Sequence, residues 1–373
     1  MNTVDRYIAR EIFVPFATAT LFVSQLLLAT QLLSEAEVLL GSGVSAADIT
    51  TVAAALMPNL LGVILPIAAL LGTVLGLGRL AEDREVVALG AAGVSPAQLL
   101  RVPLAGGLVV AALALALARW VEPAAGALVR ERVAAMVARK LTNDVRPGVF
   151  YDRLPGYTLY AERARSGRWE NVLISDLSSP GAPVLALSGR GALEQAGEGG
   201  DMRLVLESGQ LHSGSGAADS DEYVTAEFAR ATVPMRVAET LERSTGLSRS
   251  ARGVTFADAP ARSREERRRG DVEGARRTEA YYHRRIAMAL AAIPFAILAV
   301  PLGASRRIRR GLALSAVVLV VVVHYILLRG GEVLAQQGAL PAWLALEIPT
   351  VALSAIGLVL CVLQARRGLF AAS

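Results

Sequence analysis

The sequence has little of several residue types on which common functional sites are built. Cys361 is the only cysteine among 373 residues, and Lys140 is the only lysine. One cysteine excludes an intrachain disulfide and a cysteine-rich metal site. The histidines His212, His283 and His324 lie in different regions of the chain, and the sequence has no GxxxxGKS/T phosphate loop. We therefore expect no metal site, no cofactor on this chain and no enzymatic centre.

Charged residues are also scarce. They make up 19% of the chain, against 53% hydrophobic residues, whereas a soluble domain carries about 25% charged residues. The uncharged residues form long runs, and about 20 apolar residues in a helix cross the hydrocarbon core of a bilayer. The runs that reach or approach this length are Ile12–Leu33, Val52–Leu80, Val102–Leu117, Ile286–Ala304, Leu312–Leu328 and Ala342–Leu363. The sequence therefore predicts an α-helical membrane protein with six spans.

Arginines in the short loops predict the orientation of these spans. They are frequent in residues 6–10, 79–101, 306–310 and 366–367, and absent from residues 34–51 and 330–341. Because cytoplasmic loops carry an excess of Arg and Lys, we expect both termini in the cytoplasm and the long region after the third span outside it. The first run is longer than the core of a signal peptide, so we interpret it as an uncleaved span.

The long region between the third and fourth spans has a different pattern. Short alternating segments between turn residues predict an all-β sandwich or barrel. Its strands are expected at Tyr157–Glu162, Asn171–Asp176, Val184–Leu187, Met202–Glu207 and Tyr223–Phe228. Residues 239–279 are rich in Arg and Glu, which predicts a solvated linker or partial helix, and we interpret Arg267–Arg269 as a solvated face in preference to a phosphate site. The predicted plan is a membrane half at 1–121, a β insert at 122–283 and a second membrane half at 284–373.

The segment between the second and third spans is predicted to form a short amphipathic helix at about residues 81–93. Val86 and Leu89 fall on one helical face, and Glu82 and Glu85 lie near the N-terminus, where the helix dipole favours carboxylates. Such a helix is either an element of the membrane interface or a contact for a motor subunit. The local sequence fits both interpretations.

Several stretches together resemble a known family. They are Asp5–Glu11, Leu65–Gly72, Gly76–Ser95, Trp120–Pro123, His283–Arg285 and Pro301–Gly303. In this order and spacing, the sequence resembles the lipopolysaccharide export permeases of the LptF/LptG type, which also have six spans with one large insert after the third. The stretch from His283 to Gly303 favours the F type.

The resemblance implies a fold, a location and partners. The insert would be a periplasmic β-jellyroll, and the chain would lie in the bacterial inner membrane as a heterodimer with a paralogous permease, around a cavity for lipopolysaccharide. A cytoplasmic ATPase dimer (LptB type), carrying ATP and Mg, would bind residues 81–93 as a coupling helix. The other implied partners are a single-span periplasmic protein (LptC type), a periplasmic bridge protein (LptA type) and membrane lipids, with no nucleic acid.

The same resemblance assigns a role to the short helix. The acidic residue that meets the ATPase in this family corresponds to Glu85, and the neighbouring residues Glu82, Arg84, Val86 and Leu89 are then expected at the contact.

Polar residues in or near the outer parts of the spans are candidates for lining the substrate path. They are Gln25, Gln31, His324, Arg329 and Glu332. An arginine at this depth suits the phosphates of lipid A, but Arg329 and Glu332 are also spaced to pair with each other and reach the interface. His324 is interpreted as a packed histidine in preference to a proton relay. The outer end of the first span, at Thr30–Glu35, lacks the Lys or Arg expected from the family, so the partner permease is expected to supply those charges.

Two other functions compete with transport. A membrane-anchored periplasmic scaffold needs only one span, so six spans with internal prolines and polar residues favour the permease. An intramembrane hydrolase based on His324 lacks a serine in a nucleophile-like context.

Overall fold

A computed structural model of the chain describes residues 3–34, 45–144, 147–154, 156–165, 168–177, 184–196, 201–214, 223–235, 254–304 and 310–366. The helices in these ranges are α1 (Thr3–Ser34), α2 (Ala46–Glu82), α3 (Glu85–Ala91), α4 (Pro96–Ala116), α5 (Glu122–Asp144), α6 (Ala259–Arg268), α7 (Val272–Leu290), α8 (Ala292–Gly303), α9 (Arg310–Gln337) and α10 (Ala342–Arg366). A π-helical turn at Leu117–Val121 joins α4 to α5.

The six predicted spans are confirmed in the described part of the chain. Helical segments long and apolar enough to cross a membrane lie at Thr3–Ser34, Ala46–Glu82, Pro96–Val129, Val272–Gly303, Gly311–Gln337 and Ala342–Arg366. The fourth segment begins well before the predicted Ile286, because α7 continues outward through a charged sequence. A hydrophobic run marks only the hydrocarbon part of a helix, which can extend further where another element packs on it.

The short helix α8 lies at the centre of the packed spans. Its side chains are buried except for Ile293 and Leu302, which are partly exposed, and it packs chiefly on α10 and α4. Close approach depends on small residues: a Cβ on Gly107 would lie 2.7 Å from the carbonyl oxygen of Ala292, and one on Gly357 would lie 2.9 Å from Ile297. Small residues at such crossings are typical of membrane helices, where close packing drives association.

The chain divides into two compact units. One comprises residues 1–28, 57–123 and 253–373, and the other comprises residues 29–56 and 124–252. This division places residues 253–283 with the spans, whereas the sequence assigned them to the insert.

The second unit contains the β insert, which confirms the predicted all-β domain. Its strands, β1 (Tyr151–Leu154), β2 (Tyr157–Arg165), β3 (Arg168–Asp176), β4 (Val184–Ala196), β5 (Asp201–Gly214) and β6 (Tyr223–Met235), form one antiparallel sheet in chain order. Leu159, Ile174 and Ala186 are paired directly across β2, β3 and β4 and are fully buried. Cross-strand apolar pairs of this kind fix the register, since a slip of one residue would expose them.

Of the two alternatives predicted for residues 239–279, a solvated linker or a partial helix, the described part is largely helical, in α6 and the first part of α7. α6 and α7 pack together: Glu279 accepts hydrogen bonds from Arg267 (Nε–Oε1 3.0 Å, Nη2–Oε2 2.8 Å) and Thr278 donates to Glu266 at 2.8 Å. The hydrogen bond to Glu279 raises the pKa of Arg267 above its ordinary value, so this guanidinium is charged and already paired. Residues 239–252 of the predicted linker lie outside the described residues.

Candidate functional site

The short helix α3 is bounded by signals in the local sequence. α2 ends at Glu82, and the chain turns at Arg84, whose φ of 62° places it in the left-handed region that a non-glycine residue adopts only occasionally. At the other end Gly93 has φ +88°, and the amide of Val94 donates to the carbonyl of Leu89 at 3.0 Å, which closes the helix.

The next helix begins with a capping box. The Ser95 hydroxyl accepts from the Gln98 amide at 3.3 Å, the Gln98 side chain accepts from the Ser95 amide at 2.7 Å, and Pro96 follows at the first helical position. α3 is thus a separate two-turn element between two spans. It is shorter than the predicted helix at residues 81–93, because α2 continues to Glu82 and the chain turns at Arg84 before α3 begins at Glu85.

The residues predicted for the ATPase contact differ in exposure. Glu82 and Arg84 are exposed, Glu85 and Leu89 are half-buried, and Val86 is 1% exposed. Val86 packs into an apolar cluster of the same chain with Ile8, Leu77, Leu80, Ala81, Leu99, Val300 and Ala304. Val86 therefore holds α3 against the spans of its own chain. The exposed polar residues Glu82 and Arg84 lie just before α3, whose own start is the half-buried Glu85.

The first turns of α1 contact the two elements on either side of Arg84. The Tyr7 hydroxyl donates to Oε2 of Glu85 at 2.6 Å, and Arg79 lies 3.6 Å from Glu11 and 4.0 Å from Asp83. Tyr7 was not among the residues predicted for this contact, although the stretch Asp5–Glu11 that contains it was among the family-like segments. The available signal was a tyrosine among charged residues at the start of an apolar span.

A second polar cluster is buried among the spans. Arg285 Nη1 lies 2.8 Å and 2.7 Å from the two carboxylate oxygens of Glu122, and Arg285 Nη2 donates to Oδ1 of Asn59 at 2.8 Å. The Tyr281 ring lies 5.6 Å from the guanidinium carbon. The side chains of Arg285 and Glu122 are only 15% and 9% exposed. Two family-like stretches, Trp120–Pro123 and His283–Arg285, therefore meet in space, which their separation in sequence did not reveal.

A third cluster contains two predicted substrate residues. Glu332 has an 8% exposed side chain, accepts a hydrogen bond from Arg329, and lies 3.7 Å from Nη1 of Arg284. Arg329 keeps 58% of its side chain exposed. The pairing that the sequence left open is therefore formed, yet the guanidinium of Arg329 still faces outward.

The other predicted substrate residues are dispersed. Gln25 is exposed on α1, and Gln31 is half-buried further along the same helix. His324 is 6% exposed, lies edge-on to the Phe295 ring at 5.2 Å, and has no hydrogen-bond partner for either ring nitrogen among the described residues. It is a packed interior histidine. The described residues also contain no group of His, Cys, Asp or Glu side chains able to hold a metal ion.

Six apolar helical segments in the described residues, with an inserted antiparallel sheet and a short helix between two of the spans, define a multi-pass membrane protein. The family model described as "Lipopolysaccharide export system permease LptF/LptG" matches residues 6–362, nearly the whole chain. The chain belongs to this family, whose members are transporter permease subunits and not enzymes. The match does not separate the F type from the G type, and a search of curated proteins found no match to the chain.

Proposed function

We propose that this chain is a permease subunit of an ABC-type exporter, which extracts lipopolysaccharide from the bacterial inner membrane and passes it to periplasmic bridge proteins of the LptA type. A separate cytoplasmic ATPase dimer of the LptB type supplies the energy and holds ATP and Mg. The observation that carries the proposal is α3, a short helix between two spans whose buried Val86 packs against the spans of its own chain.

The orientation in this proposal follows from charge. Loops on the side of α3 are rich in arginine, and the two short opposite loops, at residues 34–51 and 330–341, contain none. Because the charge rule applies to short loops, α3 and both termini then face the cytoplasm and the β insert faces the periplasm. On that side, the exposed residues Glu82 and Arg84 and the half-buried Glu85 form the surface that the ATPase contacts.

A paralogous permease completes the transporter in this proposal. α1 has large exposed apolar side chains, among them Phe13, Leu21, Phe22 and Leu26. A helix that is apolar on its exposed side needs lipid or another chain around it. The partner permease and the single-span protein of the LptC type are the proposed neighbours, with membrane lipids on the remaining surface.

Arg329 is the proposed phosphate contact of this chain. Its guanidinium faces outward while Glu332 fixes its position, and a second arginine, Arg284, lies beside the same carboxylate. An arginine presents planar paired donors that suit phosphate oxygens. Glu332, Gln25 and Gln31 are proposed to line the path with it, whereas His324 is buried in the interior.

The coupling contact is tested at Glu85. We expect Glu85→Ala to lower the recovery of the ATPase dimer with the purified permease at least tenfold, because an anionic contact at the motor interface is lost. Co-purification from membranes, followed by quantification of both chains, measures this. Glu194→Ala, at an exposed position of β4, is the matched control and is expected to leave recovery unchanged.

Two results would contradict the coupling role. One is full recovery of the ATPase and full lipopolysaccharide export with Glu85→Ala. The other is thiol labelling of Ala88→Cys only from the periplasmic side of the membrane, since Ala88 is exposed on α3.

The phosphate contact is tested by crosslinking. A photoreactive residue at position 329 is expected to capture lipopolysaccharide in the assembled exporter, because the side chain is exposed at the outer part of α9. The same residue at position 319, also exposed on α9, is nearer the bilayer centre and is expected to capture mainly acyl chains of bulk lipid. No adduct at 329, together with adducts in the β insert, would leave Arg329 with only its pairing role.

A further inference from the structure

The Tyr7–Glu85 hydrogen bond joins the first turn of α1 to the first turn of α3. The hydroxyl lies 2.6 Å from Oε2, and the two residues are 78 positions apart in the chain. A hydroxyl that donates to a carboxylate forms one of the stronger hydrogen bonds in proteins. The contact therefore fixes the Glu85 carboxylate, which the sequence alone would predict to be a solvated surface group.

Backbone packing sets the position of the Tyr7 hydroxyl. The next residue, Ile8, is fully buried in the apolar cluster that also holds Val86 and Leu77. One turn further on, α1 approaches α2 so closely that a Cβ on Gly76 would lie 2.6 Å from the Glu11 carbonyl oxygen. Tyr7 is thus carried on a firmly packed segment, although its own side chain is partly exposed.

The hydrogen bond from Tyr7 fixes the orientation of the Glu85 side chain. A glutamate has several freely rotating bonds, and ordering such a side chain costs about 1–2 kcal/mol of conformational entropy. Tyr7 engages Oε2, whereas Oε1 has no hydrogen-bond partner among the described residues. The carboxylate is therefore held through one oxygen, and the other oxygen remains able to accept a further hydrogen bond.

We propose that Tyr7 is a positioning residue for the motor contact: its hydroxyl orders the Glu85 carboxylate before the ATPase binds, so that Oε1 accepts from a cationic or N–H group of the motor. This inference rests on the coupling function proposed above for Glu85. It adds that part of the binding affinity comes from a residue of the first span that does not touch the ATPase.

The test is a double-mutant cycle on the purified permease heterodimer in nanodiscs, titrated with the ATPase dimer. Tyr7→Phe removes only the hydroxyl and is expected to weaken the affinity about three- to tenfold, and tenfold corresponds to about 1.4 kcal/mol. In a Glu85→Ala background, Tyr7→Phe is expected to change the affinity less than twofold, because the hydroxyl then has no carboxylate to order. Tyr160→Phe, on β2 of the insert, is the matched hydroxyl deletion and is expected to have no effect.

The outcomes distinguish failure of the positioning role of Tyr7 from failure of the coupling function proposed for Glu85. Unchanged affinity with Tyr7→Phe, when Glu85→Ala is weakened, overturns the positioning role and leaves the coupling contact standing. An equal loss with Tyr7→Phe in both backgrounds also overturns it, because Tyr7 then acts through the fold and not through Glu85. Unchanged affinity with Glu85→Ala overturns the coupling contact itself. Non-additive losses at Tyr7 and Glu85, with Tyr160→Phe at the wild-type affinity, support the proposal.

Discussion

Glu122→Ala is expected to lower the free energy of unfolding of the permease by about 3–5 kcal/mol. The change leaves the Arg285 guanidinium almost buried among apolar spans with no negative charge beside it. Asn59 and Tyr281 still contact the guanidinium, but an amide oxygen and a ring face compensate a positive charge only in part. Equilibrium unfolding in mild detergent measures the loss.

An exposed ion pair of the same chain is the matched control. Arg163 and Glu170 lie 3.2 Å apart on neighbouring strands with largely exposed side chains, so Glu170→Ala is expected to cost less than about 1 kcal/mol. Removing both buried charges, with Glu122→Leu and Arg285→Leu together, is expected to recover much of the loss. Equal losses for Glu122→Ala and Glu170→Ala would contradict the view that the buried pair stabilises the spans.

The π-helical turn explains why Glu122 reaches this site. A π turn adds one residue to the helix and rotates everything after it by about 100°. Trp120, within Leu117–Val121, is largely exposed, while Glu122 directly after it is buried. A regular helix read from sequence would assign Glu122 to a different face, so the hydrophobic pattern alone could not place it.

The spans and strands were predictable because their signals are local. Long uncharged runs identified the six spans found in the described residues, and alternation identified five of the six strands described there, missing the short β1. The start of α7 was not predictable in this way: its charged first half folds because α6 supplies partners such as Glu266. Charge density left a solvated linker and a partial helix as alternatives, and ion pairs and hydrogen bonds between α6 and α7 accompany the helical one.

The same difference between local signals and tertiary packing applies to the candidate site. The limits of α3 were readable from Gly93, Ser95 and Pro96, whose effects on the backbone act within a few residues. The burial of Val86 and the hydrogen bond from Tyr7 were not readable, because both depend on α1 packing beside α2. Residue types predicted where the proposed motor contact lies, and packing determines which side chains are exposed there.

Gly76→Ala and Gly78→Ala, two residues apart on α2, are expected to change stability in opposite directions. Alanine in place of glycine within a helix normally stabilises it by about 1 kcal/mol, and the nearest atom to a Cβ on Gly78 lies at 3.9 Å. A Cβ on Gly76 would lie 2.6 Å from the Glu11 carbonyl oxygen and 2.9 Å from Ile12 Cα. Backbone atoms cannot rotate out of the way as the end of a flexible side chain can. We therefore expect α1 to shift, which lowers the free energy of unfolding by about 1–3 kcal/mol.

Unfolding in mild detergent, together with a probe of α1, tests this contrast. Ile8→Cys, in a chain with Cys361→Ala, places a thiol at a fully buried position of α1. Its rate of maleimide modification is expected to rise with Gly76→Ala and to stay unchanged with Gly78→Ala. A second close contact, where a Cβ on Gly72 would lie 2.6 Å from Phe16 Cα, predicts the same rise for Gly72→Ala. If Gly76→Ala matched Gly78→Ala in both stability and thiol protection, the close crossing of α1 and α2 would be refuted, and with it the backbone support inferred for Tyr7.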